Sequence, residues 1–193
     1  MSPATSGAPR WSPGRRIVLV GPMGSGKSTL GTVLARRLGL QRLDADDLFV
    51  AQHGPIADYF STRGEPAFRQ AEEDVIGEVL SRAEPCVLSL GGGAVLSALT
   101  RDRLLLGSHV VYLTVDESAA LERLDGGAGR PVLAGDPGRT WRRILAERHG
   151  LYREVSQWTV DTTGRKTTDL ADQVIRLVHT AESASEDHRS VHP

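Results

Sequence analysis

The chain has 193 residues and a formal net charge of -1. That length favours one α/β domain with a substantial core, and the balanced charge offers no basic field to recruit nucleic acid or a membrane surface. No apolar run is long enough to span a bilayer, and a single cysteine, Cys86, excludes a disulfide framework and suits a reducing cytoplasm.

In chain order, residues 1–14 are rich in Pro, Ser, Gly and Ala and carry no apolar stretch. They read as a disordered leader and not as a signal peptide. Arg16 to Val20 is a β-branched run ending at glycine, which predicts a buried strand. Leu30, Val33, Leu34 and Leu38 recur at helical spacing over 27–38, with Gly39 as the stop. A short strand over 41–43 runs into Asp44-Ala-Asp46, and helical patterns follow over 47–52, 56–61 and 65–82. Residues 86–90 form another buried strand that stops at Gly91-Gly92-Gly93. A helix near 100–106, a strand over 109–115 and a helix over 117–124 come next, with Asp116 as the last helix's cap. Residues 125–138 are dense in Gly, Pro and Asp without periodicity, as expected of a mobile lid. A helix over 140–154, a strand over 158–161 and a helix over 168–181 complete a domain spanning 15–181. The polar, mixed-charge residues 182–193 read as a disordered tail.

Strands alternating with helices imply a parallel sheet covered on both faces, with ligands beyond the carboxyl ends of the strands. The loop from Gly21, the acids Asp44 and Asp46, and glycines 91–93 all fall at such ends. Three separate segments therefore converge on one cleft.

Gly21-Pro-Met-Gly24-Ser25-Gly26-Lys27-Ser28 matches the phosphate-binding pattern G-x-x-x-x-G-K-[ST]. Its glycines let backbone N–H groups wrap phosphates, and the following helix aims its positive end at the same anion. Lys27 would bridge the β- and γ-phosphates of ATP, and Ser28 would ligate Mg²⁺ directly. Only Lys27 and Lys166 are lysines among the 23 Lys and Arg residues, which suggests that a compact ammonium is retained where it is needed. Asp44 and Asp46, one residue apart, can serve a magnesium-bound water and the proton of an attacking hydroxyl respectively. The bland reading is a helix N-cap or a pair of solvated acids, with Asp47 as a helix-start acid. Arg69 shares a helix face with Glu72 and Glu73. By spacing alone it is a surface ion pair, or else a guanidinium oriented to grip a carboxylate. Arg130, inside the lid, is either a solvated loop residue or a group that neutralises transition-state charge. Arg148 is by spacing only a helix-terminal cation, and His149 reads as exposed.

In this order the pieces resemble the shikimate kinases, in the nucleoside-monophosphate-kinase-like branch of P-loop enzymes. The resemblance runs from about residue 16 to residue 177. Besides the phosphate loop through Thr29 it rests on L-D-x-D at Leu43 to Asp46, I-A-D-x-F at Ile56 to Phe60 and F-R-x-x-E-E at Phe68 to Glu73. L-G-G-G-A-V at Leu90 to Val95, R-P-x-L at Arg130 to Leu133 and R-x-x-L-Y at Arg148 to Tyr152 complete it. It implies a three-layer α/β/α P-loop kinase fold with a central parallel five-stranded sheet of order 2-3-1-4-5. It also implies ATP-dependent phosphorylation of the shikimate 3-hydroxyl with Mg²⁺, by a cytoplasmic monomer.

The same resemblance implies an ATP site of Gly24, Ser25, Gly26, Lys27, Ser28, Thr29, Arg130 and Arg165, the last beside the adenine. Asp46 would contact the attacking hydroxyl, and Asp44 would support Mg²⁺ through water. Arg69 and Arg148 would clamp the substrate carboxylate, with Glu72 holding Arg69. Gly92 would present its backbone to a ring hydroxyl, and Phe60 and Phe68 would form an apolar wall. Two positions depart from the family pattern: Gly150 replaces the usual proline before Leu-Tyr, which suggests a looser loop at Arg148, and Leu124 stands where some relatives carry arginine. Two rivals remain open at this level, a gluconate-type or nucleotide kinase and a catalytically silent nucleotide-binding module.

Overall fold

The structure is a computed structural model that describes residues 16–125 and 136–190. Strand β1 (Arg16–Val20) alternates two apolar sets along its length, so it must be buried on both faces. Val18 and Val20 point to one side of the sheet, Ile17 and Leu19 to the other, and all four are at most 1% exposed. β1 pairs in parallel with β3 (Cys86–Ser89) through Val18↔Leu88 and with β4 (Ser108–Thr114) through Val18↔Val110. β2 (Gln41–Asp44) adds outside β3, and β5 (Trp158–Asp161) outside β4. The order is β2-β3-β1-β4-β5, as the family resemblance implies.

Helices cover both faces. α1 (Lys27–Leu38) and α7 (Thr167–Ser190) bury Leu30, Leu34, Leu170, Val174 and Val178 against Ile17, Leu19, Val87 and Val111. On the opposite face α3 (Ile56–Ser81), α4 (Ala98–Gly107) and α6 (Pro137–Val155) supply Ile76, Val79, Leu104, Tyr152 and Val155. Leu34 is fully buried, and truncating such a side chain to alanine costs about 2–5 kcal/mol. The shorter α2 (Ala45–His53) packs Phe49 against Phe68 and Val75 of α3. α5 (Glu117–Asp125) places Ala120 against Trp141 of α6.

The sequence pattern finds every strand to within a residue or two. Its two helices over 56–61 and 65–82 are both present: α3 is two helical pieces joined across Gly64, whose φ 77 and ψ 172 are not helical, with Pro66 two residues on. A short 3₁₀ turn, Ala94–Leu96, has no counterpart in the pattern, and Ser97 caps α4 after it by accepting from the Thr100 N–H at 3.0 Å. α7 corrects the expected tail: the helix does not stop at 181 but runs to Ser190. Glu182 Oε1 lies 2.8 Å from Nε2 of His109, a buried residue of β4, and this pair ties the extension to the sheet. The leader over 1–14 and the residues 126–135 of the expected lid, with Arg130, lie outside the described residues. Among the described residues no helix is long and apolar enough to cross a membrane.

Candidate active site

The loop between β1 and α1 is built on glycines in left-handed backbone. Gly24 has φ 79 and Gly26 φ 85, conformations that L side chains rarely adopt. A methyl group on Gly24 would also lie 2.7 Å from the Ala120 carbonyl oxygen, so the loop is pressed onto α5. Gly26 starts α1 without a side-chain cap, which leaves the helix's first N–H groups and positive dipole end facing the loop. Lys27 Nζ folds back to donate to the carbonyls of Gly21 and Pro22, both at 2.8 Å.

In the first turn of α1, Ser28 Oγ donates to Asp44 Oδ2 at 2.7 Å. Asp44 is the last residue of β2 and is buried. Its Oδ1 accepts from the Asp46 N–H at 3.2 Å, capping α2, and its Oδ2 also accepts from Arg42 Nη2 at 3.1 Å. Asp44 is thus the N-cap of α2, as the bland reading has it, and its carboxylate also meets Ser28 beside the phosphate loop. Asp47 is the exposed helix-start acid that spacing suggests, paired with Arg42 at 3.2 Å. A hydroxyl and a carboxylate converging below a phosphate loop are hard oxygen donors, the set that suits Mg²⁺ held mainly by water and phosphate.

The second half of the cleft is floored by Gly91, Gly92 and Gly93, where β3 ends. Missing Cβ atoms make room for charged groups here. A methyl on Gly91 would lie 2.9 Å from Asp46 Oδ1 and 3.0 Å from Glu72 Oε1. On Gly93 it would overlap the Arg69 guanidinium, and on Gly92 it would lie 3.8 Å from Arg148 Nη1. Arg69 Nη1 donates to Glu72 Oε2 at 2.7 Å, so the pair that spacing left as a surface bridge has a buried partner, Glu72 being 7% exposed. Burial pushes the Glu72 carboxyl up from its ordinary value, and Arg69 opposes that rise. The Nε atoms of Arg69 and Arg148 are buried with no hydrogen-bond partner among the described residues. Two guanidiniums and two acids thus gather over the three glycines, and forked guanidiniums of this kind can grip a carboxylate or phosphate.

Gly24, Gly26, Lys27, Ser28, Thr29, Asp44, Asp46, Gly91 and Gly92 line one continuous cavity. Lys27 and Asp46 thus face the same space, while Arg69 lies over Gly93, the neighbour of the lining residue Gly92. Ser25 is buried under the loop. Arg165 does not line this cavity; its Nη1 donates to Gln173 Oε1 at 2.7 Å. Phe60 and Phe68 stand 5.3 Å apart, with the Arg69 guanidinium 5.1 Å over the Phe68 ring, and neither lines the cavity.

The contacts of three residues escape the sequence reading. Arg123 Nη1 donates to Gly24 O at 2.9 Å and Nη2 to Thr162 O at 2.9 Å, tying the phosphate loop to the β5–α7 turn, and both Arg123 and Leu124 line the cavity. Trp141 Nε1 donates to Met23 O at 3.1 Å. Tyr152 Oη donates to Gly92 O at 2.6 Å. No spacing rule announces a side chain that meets a loop through tertiary packing.

Known proteins of one family match this chain over most of its length. The family model described as Shikimate kinase matches residues 23–179. The chain belongs to the shikimate kinase family. The shikimate kinase of Streptomyces avermitilis is 44% identical over 169 residues, covering 87% of this chain and 98% of that protein. That of Streptomyces coelicolor is 44% identical over 168 residues, covering 86% and 97%. The solved structure described as shikimate kinase from Acinetobacter baumannii in complex with shikimate superposes with a TM-score of 0.82 at 37% identity, covering 86% of this chain and 94% of that one. Against the shikimate kinase pattern, Gly150 does not loosen a loop. α6 runs unbroken from Pro137 to Val155, so Arg148 is held inside a helix, and Gly150 costs it only about 1 kcal/mol relative to alanine.

Proposed function

We propose that the chain transfers the γ-phosphoryl group of ATP to the 3-hydroxyl of shikimate, a step of chorismate and aromatic amino-acid biosynthesis. The observation that carries this reading is the convergence of Asp46, Glu72, Arg69 and Arg148 on the glycine floor of the cavity that Lys27 and Ser28 also line or adjoin. The hydroxyls of a neutral acceptor alone would not call for two guanidiniums; a carboxylate does.

In this reading ATP places its phosphates in the loop 21–28, under the N–H groups of Gly24 to Thr29, with Lys27 swung from its loop carbonyls onto the β- and γ-oxygens. Ser28 as direct ligand and Asp44 through water would hold Mg²⁺, which supplies charge neutralisation to the phosphates when bound. Arg69, steadied by Glu72, and Arg148 take the substrate carboxylate, and Gly92 meets a ring hydroxyl. Asp46 then orients the attacking hydroxyl and accepts its proton. Arg130 and Arg165 are assigned to the phosphates and the adenine. Positioning and electrostatic stabilisation supply most of the acceleration. The single buried Cys86 supports a reducing, cytoplasmic setting.

A coupled assay of ADP release with and without shikimate tests the proposal. Release should depend on shikimate and should not respond to gluconate or nucleoside monophosphates. Release driven by one of those acceptors, or ATP binding with no acceptor-dependent release, would replace this reading by one of its two rivals.

A further inference from the structure

Three consecutive glycines have more backbone freedom than any other tripeptide, so a floor made of them needs its peptides pinned from outside. Each of the three carbonyls has a donor. Gly91 O accepts from the Ala94 N–H at 3.1 Å, and Gly93 O from the Leu96 N–H at 3.0 Å. Both bonds are local and belong to the 3₁₀ turn. Gly92 O is different: its donor is the Tyr152 hydroxyl at 2.6 Å, a side chain 60 residues away on α6.

Tyr152 is built to hold that position. It is 1% exposed, and its ring stacks on Tyr112 with centroids 5.1 Å apart at 29°. Burial pushes its hydroxyl up to about 12, so it remains a donor throughout the pH range of the reaction. Arg148, one helical turn earlier on the same face of α6, interacts with the same hydroxyl. The Tyr152 hydroxyl thus meets both the Gly92 peptide and the guanidinium assigned to the carboxylate.

We propose that Tyr152 is a positioning residue for the acceptor: its hydroxyl fixes the Gly92–Gly93 peptide and the Arg148 guanidinium in the geometry that receives a hydroxylated carboxylic acid, without touching the substrate. The proposal rests on the shikimate reading above. Because the peptide is planar and trans, holding the Gly92 carbonyl toward α6 turns the Gly93 N–H the opposite way. Without the hydroxyl the floor would rotate among the many states glycine permits, and acceptor binding would bear the loss. The nucleotide half, pinned by Arg123 and Trp141, would not.

The test compares wild type, Tyr152→Phe and Tyr112→Phe by steady-state kinetics with ATP and shikimate varied in turn. Each variant is also checked by thermal unfolding. Tyr112→Phe removes a hydroxyl from the same aromatic stack, but one that meets His149 Nδ1 at 3.0 Å and not the floor. Tyr152→Phe should raise KM for shikimate about tenfold, the scale of one lost buried hydrogen bond, and leave KM for ATP within about twofold. Tyr112→Phe should leave both KM values near wild type. Equal KM for shikimate in wild type and Tyr152→Phe, or parallel changes in both KM values with the loss of melting temperature, would overturn the positioning role while leaving the function intact. Absence of shikimate-dependent turnover in the wild type would overturn both.

Discussion

Ser28 Oγ and Asp44 Oδ2 meet at 2.7 Å, joining the first turn of α1 to the end of β2. Asp44→Asn keeps a side chain that can still cap α2 but removes the charge that would hold a magnesium-bound water. The Mg²⁺ concentration for half-maximal rate should rise about tenfold, with kcat partly restored at high Mg²⁺. Ser28→Ala should not be rescued in this way. Magnesium titrations of the two variants check this; identical curves for Asp44→Asn and wild type would remove Asp44 from the metal's surroundings.

Lys27→Ala and Asp46→Ala should each lower kcat by about 10³-fold or more, the scale of losing a phosphate clamp or a catalytic base. Both variants should melt near the wild-type temperature. Asp46→Ala should still bind ATP, as read by equilibrium titration. Turnover surviving in Asp46→Ala would displace it from its role.

Burial sets the Glu72 carboxyl above its ordinary 4.5, with Arg69 opposing. The folded chain therefore holds this proton more tightly than the unfolded one. The stability this contributes is complete below pH 4.5 and is lost as pH rises through the higher folded value. Glu72→Gln removes the titration. The melting temperature of the Gln variant relative to wild type should climb from pH 4.5 upward and then level off. Calorimetry across that range decides, and a difference that does not vary with pH contradicts it. The same variant should bind the acid more weakly, since Arg69 loses a charged partner.

Gly93→Ala and Gly91→Ala should separate binding from chemistry. The added methyl at Gly93 would overlap the Arg69 guanidinium, which must shift against its bond to buried Glu72. KM for shikimate should rise about tenfold or more, with some loss of melting temperature and kcat little changed. At Gly91 the methyl would lie 2.9 Å from Asp46 Oδ1, so the carboxylate itself must shift and kcat should fall. Kinetics showing the same split for both variants would refute the distinction.

Arg123→Ala removes two donors that hold Gly24 and Thr162 together. KM for ATP should rise several-fold and KM for shikimate should stay near wild type. Separate titrations of the two substrates read this; a larger effect on shikimate would place Arg123 in the wrong half of the cleft.

Much of the site was legible in the sequence because its chemistry is local. A phosphate loop is a contiguous backbone device, so Gly21 to Ser28 announces itself by spacing between a strand and a helix. Asp44 and Asp46 could be placed at a strand end for the same reason, and the alternation of apolar residues in β1 declared a sheet covered on two faces. What spacing could not tell was whether Arg69 was a surface ion pair or a ligand-facing group. What the fold adds is that Glu72 is buried and that Gly93 leaves room for the guanidinium, both consequences of where α3 packs against the end of β3. Arg123, Trp141 and Tyr152 were silent because their partners are main-chain carbonyls 99, 118 and 60 residues away, and any residue type leaves a carbonyl. The extension of α7 to Ser190 was hidden likewise, since the His109–Glu182 contact that steadies it lies 73 residues apart in the chain. Sequence determined the elements, the sheet's two-sided burial and the phosphate loop, all set by short-range periodicity and backbone conformation. Tertiary structure alone decided which carbonyls are held, which charges are buried and which glycines make room, because these follow from how distant segments exclude water from one another.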